Sequence, residues 1–306
     1  MRIFAVWALS LGVGVFAQTP VVSLDTGAAS ANPGRPTVTN PATLPPVGYL
    51  QFEQGYLGSL TSPATAAQYG VNQVTKVAVH PRLMLQAQTQ PYASSQDAGG
   101  GAFSGGFGDV LLGVQTVLFT PDLHAPSQDS PSKTPVEPRK TPVPTVSLGY
   151  LGRVHAGTTG DVDLGSYAHS LLLLLSGDVG GFHYDTNYIV NVQPGDVPDG
   201  SLAGSHGVKR AQFAQTLSVN HAVFDPNLQL SVELYHFSQP LVHESDSGAY
   251  VARADMTDLL IAPSYQVRPN LVVDGGFSRG FTSTSTRWQS FVGFTYLLPK
   301  RLWRGK

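Results

Sequence analysis

The chain has 306 residues, of which 12% are charged and 42% hydrophobic, and its formal net charge is −2. This near-neutral balance argues against nucleic-acid binding and against attachment to a membrane surface through basic residues. The chain contains no cysteine, which excludes a disulfide framework, thiolate metal sites and a lipid-modified cysteine.

The N-terminus has the form of a signal peptide. Arg2 precedes an apolar run from Ile3 to Phe16, and the small residue Ala17 precedes Gln18. We predict a signal peptide over residues 1–17, followed by a flexible segment rich in Pro, Ala, Thr and Gly over 18–46. No later apolar run approaches the ~18 residues that a spanning helix needs. An exported chain of this kind is periplasmic, secreted or folded into the outer membrane.

From residue 47 onwards, short segments alternate apolar and polar residues, which is typical of half-buried β-strands. In one of them, Phe182, Tyr184 and Tyr188 share a face opposite Asp185 and Asn187. About twelve segments have the ~9–12 residues with which a tilted strand crosses a bilayer. Their predicted spans are 48–58, 72–79, 82–90, 108–119, 145–155, 166–177, 182–192, 206–220, 228–238, 254–265, 271–280 and 287–298.

The lengths of the connections indicate a membrane barrel. Short turns join the second to the third, sixth to seventh, eighth to ninth and tenth to eleventh strands, whereas the connections between them are mostly longer and rich in Gly, Ser and Asp. Outer-membrane barrels sort short periplasmic turns and long extracellular loops in this way. The sequence therefore predicts an all-β fold, an antiparallel transmembrane β-barrel over residues 47–298. The exception is a proline-rich stretch at 120–144, which we interpret as a periplasmic insertion, and a basic tail follows at 299–306.

Several motifs resemble an outer-membrane family named after the MetA pathway of phenol degradation, whose members are described as transporters. The order of the motifs along residues 35–298 carries the resemblance. They are Arg35-Pro36 with NPATLPPVGYLQFEQG, GFGDVLLGVQTVLF, SLGYLGRVHAGTTG, SYAHSLLLLLSGDVGGFHYDTN, NHAVFDPNLQLSVELY and SYQVRPNLVVDGGFSRG. The proline-rich insertion departs from the family pattern. The resemblance implies a barrel in the bacterial outer membrane; it does not identify a substrate.

The stretch GFSRG at 276–280 fits the G-x-S-x-G pattern of a serine-hydrolase nucleophile elbow. Such an elbow requires a helix after the serine, with the acid and histidine later in the chain. A β-branched stretch follows Ser278, and the rest of the chain has no Asp, Glu or His. The histidines show no metal-ligand spacing. We therefore expect no catalytic serine, no cofactor and no metal, and interpret Ser278 as part of a strand.

Function should reside in the lumen, where the faces opposite the lipid-facing positions carry charge. The predicted lumen-lining residues are Glu53, Lys76, Arg82, Asp109, Arg153, Asp185, Arg210, Glu233, Asp258 and Asp274. Their signs roughly cancel, whereas an ion-selective pore needs a bias of sign. These side chains either line a pore or pair with one another and fill the lumen, and the sequence leaves both possibilities open.

The function predicted from the sequence is that of an outer-membrane channel or transporter, in which small, hydrophobic or aromatic molecules diffuse through the lumen. Expected partners are membrane lipid, the barrel-assembly machinery and the solute. The alternatives are a structural protein or an enzyme on the same barrel, or a secreted β-sandwich that binds a ligand.

Overall fold

A computed structural model describes residues 29–62, 65–97, 99–121, 143–155, 169–192, 211–238, 242–244, 250–252, 255–283 and 285–303. The predicted signal peptide, most of the proline-rich stretch and Arg210 lie outside these residues. The strands are β1 (Leu50–Leu60), β2 (Thr65–His80), β3 (Leu83–Asp97), β4 (Ser104–Gly106), β5 (Val110–Phe119), β6 (Thr145–His155), β7 (His169–Val179), β8 (Phe182–Val192), β9 (Ala211–Val223), β10 (Asp225–Ser238), β11 (Val242–Glu244), β12 (Tyr250–Ala252), β13 (Met256–Arg268), β14 (Leu271–Gly280) and β15 (Trp288–Leu297).

The strands form a closed antiparallel barrel, which confirms the predicted fold class. The main sheet has 13 strands, of which the three-residue β4 is an appendage to β3, and a further pairing of β2 with β3 closes the other twelve into a ring. β1 pairs on one side with β15 and on the other with β2, so the first and last long strands complete the circle. Closure leaves no unpaired strand edge in the wall, as a membrane-spanning sheet requires.

The alternation predicted from the sequence separates the two faces of the wall. In β7, Ser170, Leu172 and Leu174 are buried, whereas Leu171 and Leu173 between them are exposed. Exposed large apolar side chains recur at such positions around the barrel, among them Tyr56, Leu112, Tyr188, Phe213 and Val292. An apolar outer face of this kind suits contact with the lipid chains of a bilayer.

Two regions differ from the predicted spans. β2 and β3 are longer than expected, and the residues from Pro91 to Asp97, predicted to be loop, belong to β3. The pairing of β2 with β3 is irregular between Val71 and Gln73, opposite Thr89 and Tyr92. A bulge accommodates a proline because its missing N–H is not needed in the ladder there. The two-stranded ribbon of β11 and β12, within a predicted loop, was also not expected.

Short connections gather at one end of the barrel, which is the periplasmic end in barrels of this class. β10 begins directly after Phe224, whose φ of 64° is unusual for a residue with a side chain.

Residues 299–303 of the basic tail lie at this end as well. The Leu302 N–H donates to the Gly48 carbonyl at 2.7 Å and the Arg301 guanidinium to the Val47 carbonyl at 3.1 Å, so the tail fastens the start of β1.

Candidate functional site

Residues 29–49, most of which fall in the segment predicted to be flexible, lie inside the barrel; we call them the N-terminal segment. The segment starts at the periplasmic end, where the Ala31 N–H donates to the Pro269 carbonyl at 2.8 Å. It returns to the same end, where Val47 forms a bridge with Ala78. Between these points it bonds to side chains from β1, β14, β10, β9, β8, β7, β6 and β5. A segment that touches strands on all these sides of a closed wall occupies its lumen.

The first anchor of the segment is an ion pair between neighbouring strands of the wall. The Lys76 ammonium on β2 lies 2.7 Å from the Glu53 carboxylate on β1, and both side chains are buried. The same carboxylate oxygen accepts a hydrogen bond from the Gly34 N–H at 3.0 Å. Beside it, the Gln51 amide exchanges two hydrogen bonds with the backbone of Asn32. The Glu53 carboxylate is therefore paired with Lys76 within the wall and still accepts a hydrogen bond from the segment.

Arg35 connects the segment to β14, which lies beyond β15 on the side of β1 opposite β2. Its guanidinium donates to both carboxylate oxygens of Asp274 on β14, at 3.2 and 3.4 Å. Gly55 and Gly293 leave room for it, because a Cβ at either position would occupy the place of the guanidinium. The wall thus forms a recess that fits a planar, bidentate donor. Arg35-Pro36 is also a cis peptide bond.

Glu233 on β10 binds the segment at its next bend. Its side chain is fully buried, and its carboxylate accepts the N–H groups of Val38 at 2.8 Å and Thr39 at 2.7 Å. The Thr39 hydroxyl donates to the same carboxylate and lies 2.7 Å from the hydroxyl of Thr216 on β9. Three donors from two consecutive residues of the segment therefore converge on one carboxylate, and hydrogen bonds to a charged acceptor are stronger than neutral ones.

Neutral side chains hold the middle of the segment. Asn187 on β8 accepts from the Asn40 N–H at 2.7 Å and donates to the Asn40 carbonyl at 2.8 Å. The N–H of the fully buried Ala42 donates to the Ser176 hydroxyl, and its carbonyl accepts from Ser147 and Gln115. Sequence reasoning missed these polar residues because it sought charge, although their alternation places them on the same face as the charged groups.

The structure places the predicted lumen-lining residues in three groups. Glu53, Lys76, Glu233 and Asp274 contact the segment or its anchors, as described above. Four others are partly or fully buried on the inner face: Asp109 and Arg153 form an ion pair at 3.2 Å, Asp185 accepts from Ser176, and Asp258 is 5% exposed. Arg82 does not line the lumen, since it is exposed in the turn between β2 and β3. Arg210 lies outside the described residues.

Ser278 does not lie in a nucleophile elbow, because β14 continues to Gly280 without a helix. Its hydroxyl is buried, 3.4 Å from the Tyr235 hydroxyl and 3.3 Å from the Gln289 amide oxygen, and neither group is a general base. In the part of the chain that the structure describes, no three His, Asp or Glu residues group so as to hold a metal ion. No helix among these residues is long and apolar enough to cross a membrane.

The closed wall, its apolar outer face and its polar inner face define an outer-membrane β-barrel whose lumen is occupied by its own N-terminal segment. The chain belongs to the family described as "Putative MetA-pathway of phenol degradation", whose sequence model matches residues 33–298. This confirms the family expected from the motifs.

Solved structures share the fold. An outer membrane channel from Pseudomonas putida F1 is 13% identical, with a TM-score of 0.59 over 87% of this chain and 99% of that one. The NanC porin is 10% identical, with a TM-score of 0.51 over 80% of this chain and 98% of that one. No curated protein matches the sequence.

Proposed function

We propose that the protein is a channel for small solutes across the outer membrane and that the N-terminal segment closes it in this conformation. The observation that carries the proposal is the segment's path, which bonds to eight wall strands from inside the barrel. A barrel of twelve strands is wider than the eight-stranded barrels that side chains alone can fill. The family and the fold that it shares with a channel and a porin are consistent with this role.

Opening requires the segment to leave its anchors, and the wall is built to tolerate its departure. The Glu53–Lys76 and Asp109–Arg153 pairs lie within the wall and remain paired without the segment. Glu233 and Asp274 lose their partners, but water that enters the vacated lumen can solvate both carboxylates. The cost of opening is therefore mainly the loss of the hydrogen bonds of the segment, each of which water partly replaces.

Conductance of the refolded protein in a planar bilayer tests the proposal. We expect the mature chain to be closed for most of the time. A variant that lacks residues 18–46 should conduct potassium chloride, with a current about tenfold or more above that of the full chain, because current through a water-filled lumen depends on an unobstructed path. A variant that lacks only residues 18–28 is the matched control, since it keeps the N-terminal segment and should stay closed.

Heat-modifiable gel migration must show that each variant is folded. A folded barrel without residues 18–46 that stays silent contradicts the channel and favours a structural role. Hydrolysis of ester or peptide substrates by the refolded full chain would instead support the enzyme alternative. We further propose that residues 1–17 direct export and that the barrel-assembly machinery inserts the chain.

A further inference from the structure

An arginine and a tryptophan lie side by side on the outer face of the barrel, where β14 ends and β15 begins. Arg279 and Trp288 are direct neighbours in the pairing of the two strands, and the Arg279 Cζ atom lies 4.8 Å from the centroid of the indole ring. The ring of Phe277 lies 6.5 Å from the same indole, centroid to centroid. All three side chains are exposed, and Ser278 between Phe277 and Arg279 is buried on the inner face. Alternation therefore directs the three side chains away from the lumen.

The cluster of Phe277, Arg279 and Trp288 lies at the extracellular end of the wall. β14 starts after a short turn at the periplasmic end and finishes at Gly280, one residue after Arg279. Trp288 pairs on its other side with Leu60, the last residue of β1. Aromatic residues at the ends of barrel strands lie in the girdle between the lipid chains and the head groups. The guanidinium is therefore at the depth of the head groups of the outer leaflet.

Two exposed arginines at this end, Arg279 and Arg287, form no ion pair with a carboxylate in the part of the chain that the structure describes. Arg287 directly precedes Trp288, and its N–H donates to the Thr61 carbonyl at 2.9 Å, which fixes its backbone beside the cluster. Inside the barrel, by contrast, three cations pair with carboxylates: Arg35, Lys76 and Arg153. The extracellular end of β14 and β15 thus presents two positive charges to a partner outside the chain.

Exposed apolar surface extends from the cluster towards the middle of the wall. Val292 on β15 pairs with Tyr56 on β1, and both side chains are exposed. They lie deeper in the wall than Trp288, and Tyr56 stacks on Tyr69 of β2 with ring centroids 6.2 Å apart. Covering such surface favours binding by about 25 cal/mol for each Å². An acylated lipid can cover this surface with its chains, whereas a soluble anion cannot.

We propose that Arg279, Arg287 and Trp288 form a binding site for the phosphorylated, acylated glycolipid of the outer leaflet. A guanidinium binds phosphate oxygens through two parallel N–H groups, and its position over the indole orients it without neutralising its charge. The acyl chains of the same lipid would lie along Phe277 and the apolar surface below it. Because Arg279 and Trp288 point away from the lumen, the site is separate from the channel proposed above and does not depend on it.

Fluorescence of Trp288 measures binding at the site itself. The chain after residue 17 has two tryptophans, Trp288 and Trp303, so Trp303→Phe leaves one reporter. Lipid A added to this variant, refolded in detergent, should change the emission, because the head group covers the exposed indole. Arg279→Gln should raise the half-saturating concentration of lipid A about tenfold, since a charge-assisted contact is lost. Arg82→Gln is the matched control, because it removes the same charge from an exposed periplasmic turn, and it should leave the concentration unchanged.

The chemistry of the added ligand separates the sources of phosphate. Lipid A without its phosphates should bind about tenfold more weakly, and Arg279→Gln should weaken its binding no further. Inorganic phosphate should leave the emission unchanged, because it gains nothing from the apolar surface. A response to inorganic phosphate equal to that of lipid A overturns the lipid as ligand. Equal binding of phosphatidylglycerol overturns the choice of the outer-leaflet glycolipid.

Comparison of the folded variants decides whether the site exists. Equal affinities of Arg279→Gln and Arg82→Gln for lipid A, with both barrels folded by heat-modifiable gel migration, overturn the site. If Arg279→Gln does not fold, Arg287→Gln replaces it, because Arg287 precedes β15 and is exposed. This variant should raise the half-saturating concentration about fivefold, as expected for one basic residue near a lipid surface. An unchanged concentration in a folded Arg287→Gln barrel then overturns the proposal.

Discussion

Replacing Glu233 by glutamine should release the N-terminal segment without unfolding the barrel. The carboxylate accepts three hydrogen bonds from Val38 and Thr39. A glutamine has one acceptor oxygen and turns its NH2 group towards at least one of these donors. Hydrogen bonds to a charged group contribute about 1.5–3 kcal/mol each and neutral ones about 1 kcal/mol, so we expect docking to weaken by about 2–4 kcal/mol. That corresponds to a factor of roughly 30–1000 in the docking equilibrium.

Labelling of a single cysteine measures this release cleanly, because the chain has no cysteine of its own. Thr37→Cys is suitable, since among the residues that the structure describes the Thr37 hydroxyl bonds to the nearby Thr39 carbonyl and not to the wall. Its reaction with a polar maleimide should be about tenfold faster or more in the Glu233→Gln background, as the half-buried site becomes fully open. Asp225→Asn is the control, because it also replaces a carboxylate by an amide, but at the first residue of β10. An unchanged rate in a folded Glu233→Gln barrel would refute the anchoring role of the carboxylate.

Three further predictions concern the other anchors and the serine motif. Arg35→Ala should also speed labelling at Thr37→Cys, and a double-mutant cycle with Asp274→Ala should give a coupling of about 1–3 kcal/mol; zero coupling would show that the ion pair does not hold the segment. Lys76→Met should lower the free energy of unfolding in urea by about 3 kcal/mol, since it leaves the buried Glu53 carboxylate without its cation. Adding Glu53→Gln should restore part of the lost stability, because it removes the buried unpaired charge. A double variant as unstable as Lys76→Met would show that this charge is not the cause. Ser278→Ala should leave conductance unchanged in the bilayer assay, and its effect on stability should stay below about 1 kcal/mol because, within the described part of the chain, the hydroxyl makes two long hydrogen bonds, of 3.3 and 3.4 Å.

The sequence predicted the wall well because alternation is a local signal. In β8, the set that it assigned to one face includes the exposed Phe182 and Tyr188, whereas Asp185, Asn187 and Asn191 of the opposite set are buried. Strand ends were predicted less well where the pairing continues beyond the predicted spans, as in β2 and β3. The residues around Pro91 have the composition of a loop, yet a bulge lets them extend the ladder of β3.

The occupied lumen could not be read from local patterns. Residues 29–46 are rich in proline, glycine and small polar residues, a composition typical of irregular chain. What orders them is a set of partners far away in sequence: Thr39 meets Glu233, and Asn40 meets Asn187. In the sequence, each of those wall residues is an ordinary polar residue on the inner face of its strand, and its partner in the segment becomes evident only in the closed barrel. Irregular backbone can lie within a barrel only if its polar groups are satisfied, and the inner wall satisfies them.

The contacts show how charged residues of the inner face are paired in the closed barrel. Glu53 pairs with Lys76 and Asp109 with Arg153 within the wall, whereas Asp274 pairs with Arg35 of the segment. The departure of the segment takes Arg35 away from Asp274 and three donors away from Glu233. With Asp185 and Asp258 on the same face, the open lumen then holds more carboxylates than cations among the described residues. An excess of one sign concentrates ions of the opposite sign. The approximate balance of charge expected from the sequence therefore holds only in part, because two of the carboxylates are compensated by the segment rather than by the wall.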